Sequence, residues 1–174
     1  MEDFVGFGSV EYVALLGLLV GTRGADFLST WVATPRLVLE GNPLARKLGW
    51  KWGTLINLAV CLVFAAWPLS ALVIATTSAL VAARNFQAAW LMRTLGEEQY
   101  REWYVQRLRE TPLPLYLFCL LGQTLLVAAV GAALMLFSGG HLPTFPIGLG
   151  IVAYAIAVVF YTSLALWRIR RSGG

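Results

Sequence analysis

Three ionisable side chains lie within otherwise apolar stretches. Arg23 and Asp26 interrupt the run from Tyr12 to Ala33, and Arg84 interrupts the run from Leu69 to Met92. A mid-bilayer Asp or Arg costs roughly 2.5 to 3.5 kcal/mol on insertion scales, less near an interface, so such residues face a bundle interior or a wet cavity. The chemistry open to them there is charge pairing, relay of a proton or ion, or capture of a lipid headgroup. Thr22, Asp26 and Thr30 recur every four residues with Arg23 and Ser29 beside them, which puts one polar stripe on one helical face. Gly17, Gly21 and Gly24 are expected to admit a neighbouring helix. Glu40-Gly41-Asn42-Pro43 follows: Asn42 suits an N-cap, Pro43 the first helical position and Gly49 the stop of a short helix. Glu40 has no part in that account. It is either a second carboxylate that collects cations or protons, or a solvated interfacial charge.

The elements that must position these groups are membrane spans. The chain has 174 residues, 59% of them hydrophobic and 13% charged, with mean hydropathy +0.72, outside the soluble range. Five apolar runs, about 10–33, 52–67, 69–92, 113–137 and 147–167, predict an all-α integral membrane protein, a single membrane domain over 1–174 built as a five-transmembrane-helix bundle. The N-terminus reads Met-Glu-Asp-Phe, acidic where a secretory signal would be basic, so the first run is expected to be retained. Arg36, Arg46, Lys47 and Lys51 fall in the first loop, Arg93, Arg101, Arg107 and Arg109 in the third, and Arg168, Arg170 and Arg171 in the tail. Positive charge stays cytoplasmic, so the N-terminus is expected outside and the C-terminus inside, in a prokaryotic-type plasma membrane. Trp31, Trp50, Trp52, Trp90 and Trp167 fall at the inner boundaries this orientation implies, and Trp67 at an outer one.

Orientation sets depth. Asp26, Asn57, Arg84 with Asn85, and Tyr161 with Thr162 all lie roughly 9 to 11 Å from the inner end of their spans at 1.5 Å per residue. That coincidence predicts an inner-leaflet polar pocket bounded by Arg23, Asp26, Thr30, Asn57, Arg84 and Asn85, with Glu40 and Asn42 at its rim. Asp26 is expected to pair with Arg84, or locally with Arg23; the plainer role for such a pair is to fix helix register. Ala71, Ala75, Ala79 and Ala83 form a four-residue repeat suited to close packing, as do Ala128, Ala129, Ala132 and Ala133 beyond Gln123 and Thr124.

Cys61, Cys119 and His141 have no metal-ligand spacing, so no metal or cofactor is expected. Leu95 to Glu110 places Tyr100, Trp103, Tyr104 and Leu108 on one face, predicting a cytoplasmic interfacial amphipathic helix. Asp26, Thr30, Glu40, Asn42, Pro43 and Asn85 together resemble the D-x3-T and E-x-N-P pattern of a group of small archaeal and bacterial multi-pass membrane proteins. That likeness covers about residues 10 to 90 and implies a fold without an activity. Gly96-Glu97-Glu98-Gln99-Tyr100-Arg101-Glu102-Trp103-Tyr104 faintly resembles the juxtamembrane helix of isoprenylcysteine methyltransferases, whose Arg-His-Pro cofactor motif is missing here. Neither HExxH nor a serine elbow occurs. The expected role is an accessory, assembly or lipid-binding subunit whose partners are membrane lipids and other membrane subunits or its own copies, not nucleic acid. A small proton- or ion-coupled transporter or channel is the alternative, and a lipid-modifying intramembrane enzyme comes third.

Overall fold

The computed structural model describes residues 4–40 and 43–171, which hold six helices and no strand. Helix α1 (Val10–Ala33) starts where the Ser9 hydroxyl accepts the Tyr12 N–H at 3.1 Å. It stops before Pro35, which lacks a donor and disfavours helix in the residue ahead of it. Helix α2 (Pro43–Phe64) is broken at Gly49, where φ is 67°, as the sequence led us to expect; Asn42, the expected cap, lies outside the described residues. Helix α3 (Pro68–Leu95) opens on proline and ends at Gly96, φ 83°. Beyond that turn α4 (Glu97–Glu110) carries acids in its first turn and Arg107 and Arg109 in its last, matching the helix dipole. Helices α5 (Leu113–Phe137) and α6 (Thr144–Arg171) complete the chain.

Helices α1, α3, α5 and α6 are long and apolar enough to cross a bilayer, and the chain is a multi-pass membrane protein. The run 52–67, read as a second span, falls mostly in α2, which is not among these four. Lys47 and Lys51 and the break at Gly49 occupy its first turns.

Hydrogen bonds fix the directions. At one end the Val5 N–H donates to the Ala66 carbonyl at 3.0 Å, and at the other the Thr34 hydroxyl donates to Glu97, so α1 and α3 run side by side in the same direction. Helix α2 returns between those ends: Trp50 Nε1 donates to the Pro35 carbonyl at 2.8 Å, and the Tyr12 hydroxyl to the Leu62 carbonyl at 2.9 Å. Helix α6 lies against α3, where Thr77 donates to the Gly150 carbonyl, and its Arg170 donates to the carbonyls of Leu108 and Thr111 at the end of α4. Arg170 thereby satisfies carbonyls that a helix C-terminus leaves open.

The small-residue seams differ in period from the expectation. The face of α3 that is buried carries Ala71, Ala75, Ser78 and Ala82, in alternating steps of four and three, and Ala89 seven residues on, while Ala79 and Ala83 are exposed. A strict four-residue row drifts around a helix of 3.6 residues per turn, whereas alternating steps stay on one neighbour. In α5 the buried residues are Leu120, Thr124 and Gly131; Gln123, Ala129, Ala132 and Ala133 are exposed. Nor do Gly17, Gly21 and Gly24 admit a neighbour, since a Cβ at each would meet nothing within 4 Å. Gly21→Ala should therefore keep the fold and add up to about 0.5 to 1 kcal/mol from lower backbone entropy in the unfolded chain. An unchanged or raised thermal midpoint in detergent is the expected reading, and a clear drop would expose a hidden contact.

Candidate functional site

Arg23 is the centre of the polar layer and joins three helices. Its Nη2 donates to Asn57 Oδ1 on α2, its Nη1 donates to Ser78 Oγ on α3 at 3.3 Å, and the same Nη1 lies 3.6 Å from Asp26 Oδ2 one turn along α1. Asn57 is turned toward it by donating its own Nδ2 to the Gly53 carbonyl at 2.7 Å. Gly53 in turn sits under Phe27, where a Cβ would come within 3.3 Å of the ring. Gly53, Asn57 and Cys61, four residues apart, are thus the face that α2 gives to its neighbours, and most of its other large apolar side chains are exposed.

About two turns beyond Arg23 and Ser78, toward the basic end, Asn85 Nδ2 donates to Ser29 Oγ at 3.2 Å and to Thr30 Oγ1 at 3.3 Å. Ser29 is fully buried and donates to the Asp26 carbonyl. The structure therefore brings together Arg23, Asp26, Thr30, Asn57 and Asn85 and adds Ser78 and Ser29. Thr22 takes no part, because its hydroxyl returns to the Leu18 carbonyl of its own helix.

Arg84 does not join them. The pairing of Asp26 falls to Arg23, and Arg84 enters no ion pair among the described residues. Adjacent helical residues point about 100° apart. With Asn85 committed to α1, Arg84 is sent to the flank where Leu80 and Val81 pack with Tyr116, Leu120, Tyr154 and Val158.

The rim is held by Glu97, an acid in the first turn of α4 for which the helix dipole alone would be explanation enough. Glu97 is 4% exposed, and its carboxylate accepts from the Thr34 hydroxyl at 2.5 Å, the Arg36 N–H at 2.9 Å and the Val38 N–H at 3.0 Å. Between those two N–H groups Leu37 has φ 59°, a left-handed residue that turns alternate donors toward a common centre and so makes an anion nest. Burial pushes the Glu97 carboxyl up, but these donors and the nearby Arg36 guanidinium outweigh it and hold the group below its ordinary 4.5. The loop so anchored brings Glu40 close enough for its charge to act on Asp26, while Asn42 lies outside the described residues. The signal that could have found this lock is Thr34-Pro35-Arg36, a helix stop rich in donors, facing an acid just past a glycine turn.

Among the described residues no group of three or more His, Cys, Asp and Glu side chains comes together to hold a metal ion. Arg23 Nε is buried with no hydrogen-bond partner, while the Arg23 and Asp26 side chains remain 28% and 19% exposed. The layer can thus still take an acceptor and, at the carboxylates, a donor or cation. No family model, curated protein or solved structure matches the chain.

Proposed function

We propose that the protein is a lipid-binding accessory subunit of a membrane complex, with its ligand pocket at Arg23, Asp26, Asn57 and Ser78 and its rim at Glu40. The observation that carries this reading is Arg23 Nε, a donor buried in the polar layer with no hydrogen-bond partner among the described residues; the other such donor, Arg170 Nε, belongs to the guanidinium at the end of α4, outside the layer. Buried donors are satisfied almost without exception in folded proteins, so an acceptor belongs there, and a headgroup oxygen supplies one. Entry is from the side of α2, which meets α1 mainly through Gly53, Asn57 and Cys61.

Five crossings accompany this proposal. Parallel α1 and α3 cannot both cross a bilayer unless the chain between them returns, and α2 extends from Pro35 at one end to Tyr12 near the other. The basic loops and tail share the end where α1, α3 and α6 finish, which favours a cytoplasmic C-terminus.

Asp26→Asn removes one partner of a half-buried ion pair, a loss worth about 3 kcal/mol when burial is complete and less here. Occupancy of the pocket lipid, or recovery of partner per folded molecule, is expected to fall about tenfold, and Glu11→Gln, at the far end of α1, to be silent. Equal recovery from both variants, at equal folded yield in detergent, would overturn the pocket. One observation favours a second reading, proton- or cation-coupled transport: the Asp26 carboxylate, inside a membrane-spanning helix, keeps 19% of its side chain exposed. Flux in liposomes that vanishes in Asp26→Asn would select it.

A further inference from the structure

Away from that pocket, the opposite flank of α3 carries a cation with no counter-charge. Arg84 is half-buried and forms no ion pair or side-chain hydrogen bond among the described residues, although a guanidinium has five donors to place. It follows Leu80 by one turn, and Leu80 packs in the cluster that contains Tyr116. Tyr116 stands at the start of α5, at the basic end, so the flank of α3 that carries Arg84 faces a cluster that reaches the headgroup layer, within range of a long arginine side chain. Val81, three residues before Arg84, packs in the same cluster, and the polar partner of the Tyr116 hydroxyl among the described residues is the Tyr104 hydroxyl, not an acid.

The two phenols lie 3.4 Å apart, so at most one of their O–H donors is used between them. Tyr104 and Trp103 beside it on α4 are 37% and 40% exposed, as aromatic side chains at an interface are. The acids at the end of α4 are engaged elsewhere: Glu110 accepts from Gln106 and Arg107. A guanidinium with no ion-pairing carboxylate among the described residues, on a flank whose cluster also holds a phenolic donor, matches a phosphate.

We propose that Arg84, Tyr116 and Tyr104 form a second site, which holds the phosphate of a phospholipid in the leaflet at the basic end. The site is independent of the pocket around Asp26. A phosphodiester oxygen accepts from Arg84 and from the Tyr hydroxyl that its neighbour leaves free, and the acyl chains extend along the exposed apolar surface of α5.

The test is native mass spectrometry of purified protein exchanged into detergent containing phosphatidylglycerol, with retained lipid counted per folded molecule. Two retained lipids are expected in the wild type; Arg84→Gln is expected to lower the occupancy of one of them about tenfold, leaving about one lipid per molecule, and Tyr116→Phe, which keeps the ring and the packing, to lower that occupancy about threefold. Arg168→Gln, a basic residue on the exposed tail, is expected to leave retention unchanged. Inorganic phosphate, added as a separate arm, is expected not to displace the lipid; displacement that depends on Arg84 would keep the phosphate site and reassign its source to a soluble anion. Retention unaltered in both Arg84→Gln and Tyr116→Phe, or lowered equally by Arg168→Gln, would overturn the proposal. Lipid lost from Asp26→Asn but not from Arg84→Gln would sink this site and leave the first intact.

Discussion

Glu97→Gln is expected to destabilise the folded protein by about 2 to 4 kcal/mol, because an amide cannot accept in both places where the carboxylate now does. Whichever way the amide turns, its NH2 meets one of the donors from Arg36, Val38 and Thr34. The loop that depends on them includes Leu37 at φ 59°, a backbone state that costs a side-chain-bearing residue about 1 to 2 kcal/mol and needs its partners to persist. Glu98→Gln is the control: Glu98 and Arg36 are 59% and 64% exposed, and such surface pairs contribute about 0 to 1 kcal/mol. Unfolding in detergent, with limited proteolysis of residues 34–40 as a local readout, separates the two; equal effects would deny Glu97 its role.

Acid provides a second reading of the same residue. The folded carboxyl titrates below its unfolded value of 4.5, so the unfolded chain takes up the proton first as pH falls. The stabilisation is therefore complete above about pH 4.5 and is lost as pH drops through the folded pKa. Wild-type loop protection should decline below that value, and protection in Glu97→Gln should lack this decline. Because the loop carries Glu40 toward Asp26, its release should also open the rim of the pocket.

The polar layer was legible because Arg23, Asp26 and Asn57 are conspicuous in apolar runs, and apolar runs tell depth. Ser78 was not, since a serine among alanines can serve packing alone. Sequence depth also cannot tell which way a residue faces: Arg84 and Asn85 share a height and diverge in direction, and only the commitment of Asn85 to Ser29 and Thr30 decides between them. Glu97 was hidden for a different reason. A favourable dipole already accounted for an acid in the first turn of α4, so its long-range partners had no local signature. The break at Gly49 and the start of α2 at Pro43 were readable because their causes are local. The seams were read with the wrong period, since the step between three and four is chosen by the partner helix.

The close approach expected at the glycines of α1 occurs instead between α5 and α6, where the largest steric effect should be found. A Cβ on Gly148 would lie 2.6 Å from the Gly131 carbonyl oxygen and 3.0 Å from the Met135 nitrogen, and one on Gly131 would lie 2.7 Å from the Gly148 carbonyl oxygen. Those are backbone atoms and cannot rotate away. Gly148→Ala and Gly131→Ala should each cost about 1 to 3 kcal/mol, against the gain expected at Gly21. The double variant should cost less than their sum, because both report one contact and the second methyl enters a gap that the first has opened. Thermal unfolding in detergent should show drops of roughly 2 to 12 °C for the single changes. The two proposed sites should then part company. Helix α5 carries Tyr116, so shifting it against α6 should weaken lipid retention through Arg84. The layer around Arg23 is built from α1, α2 and α3 alone and should hold its ligand as before.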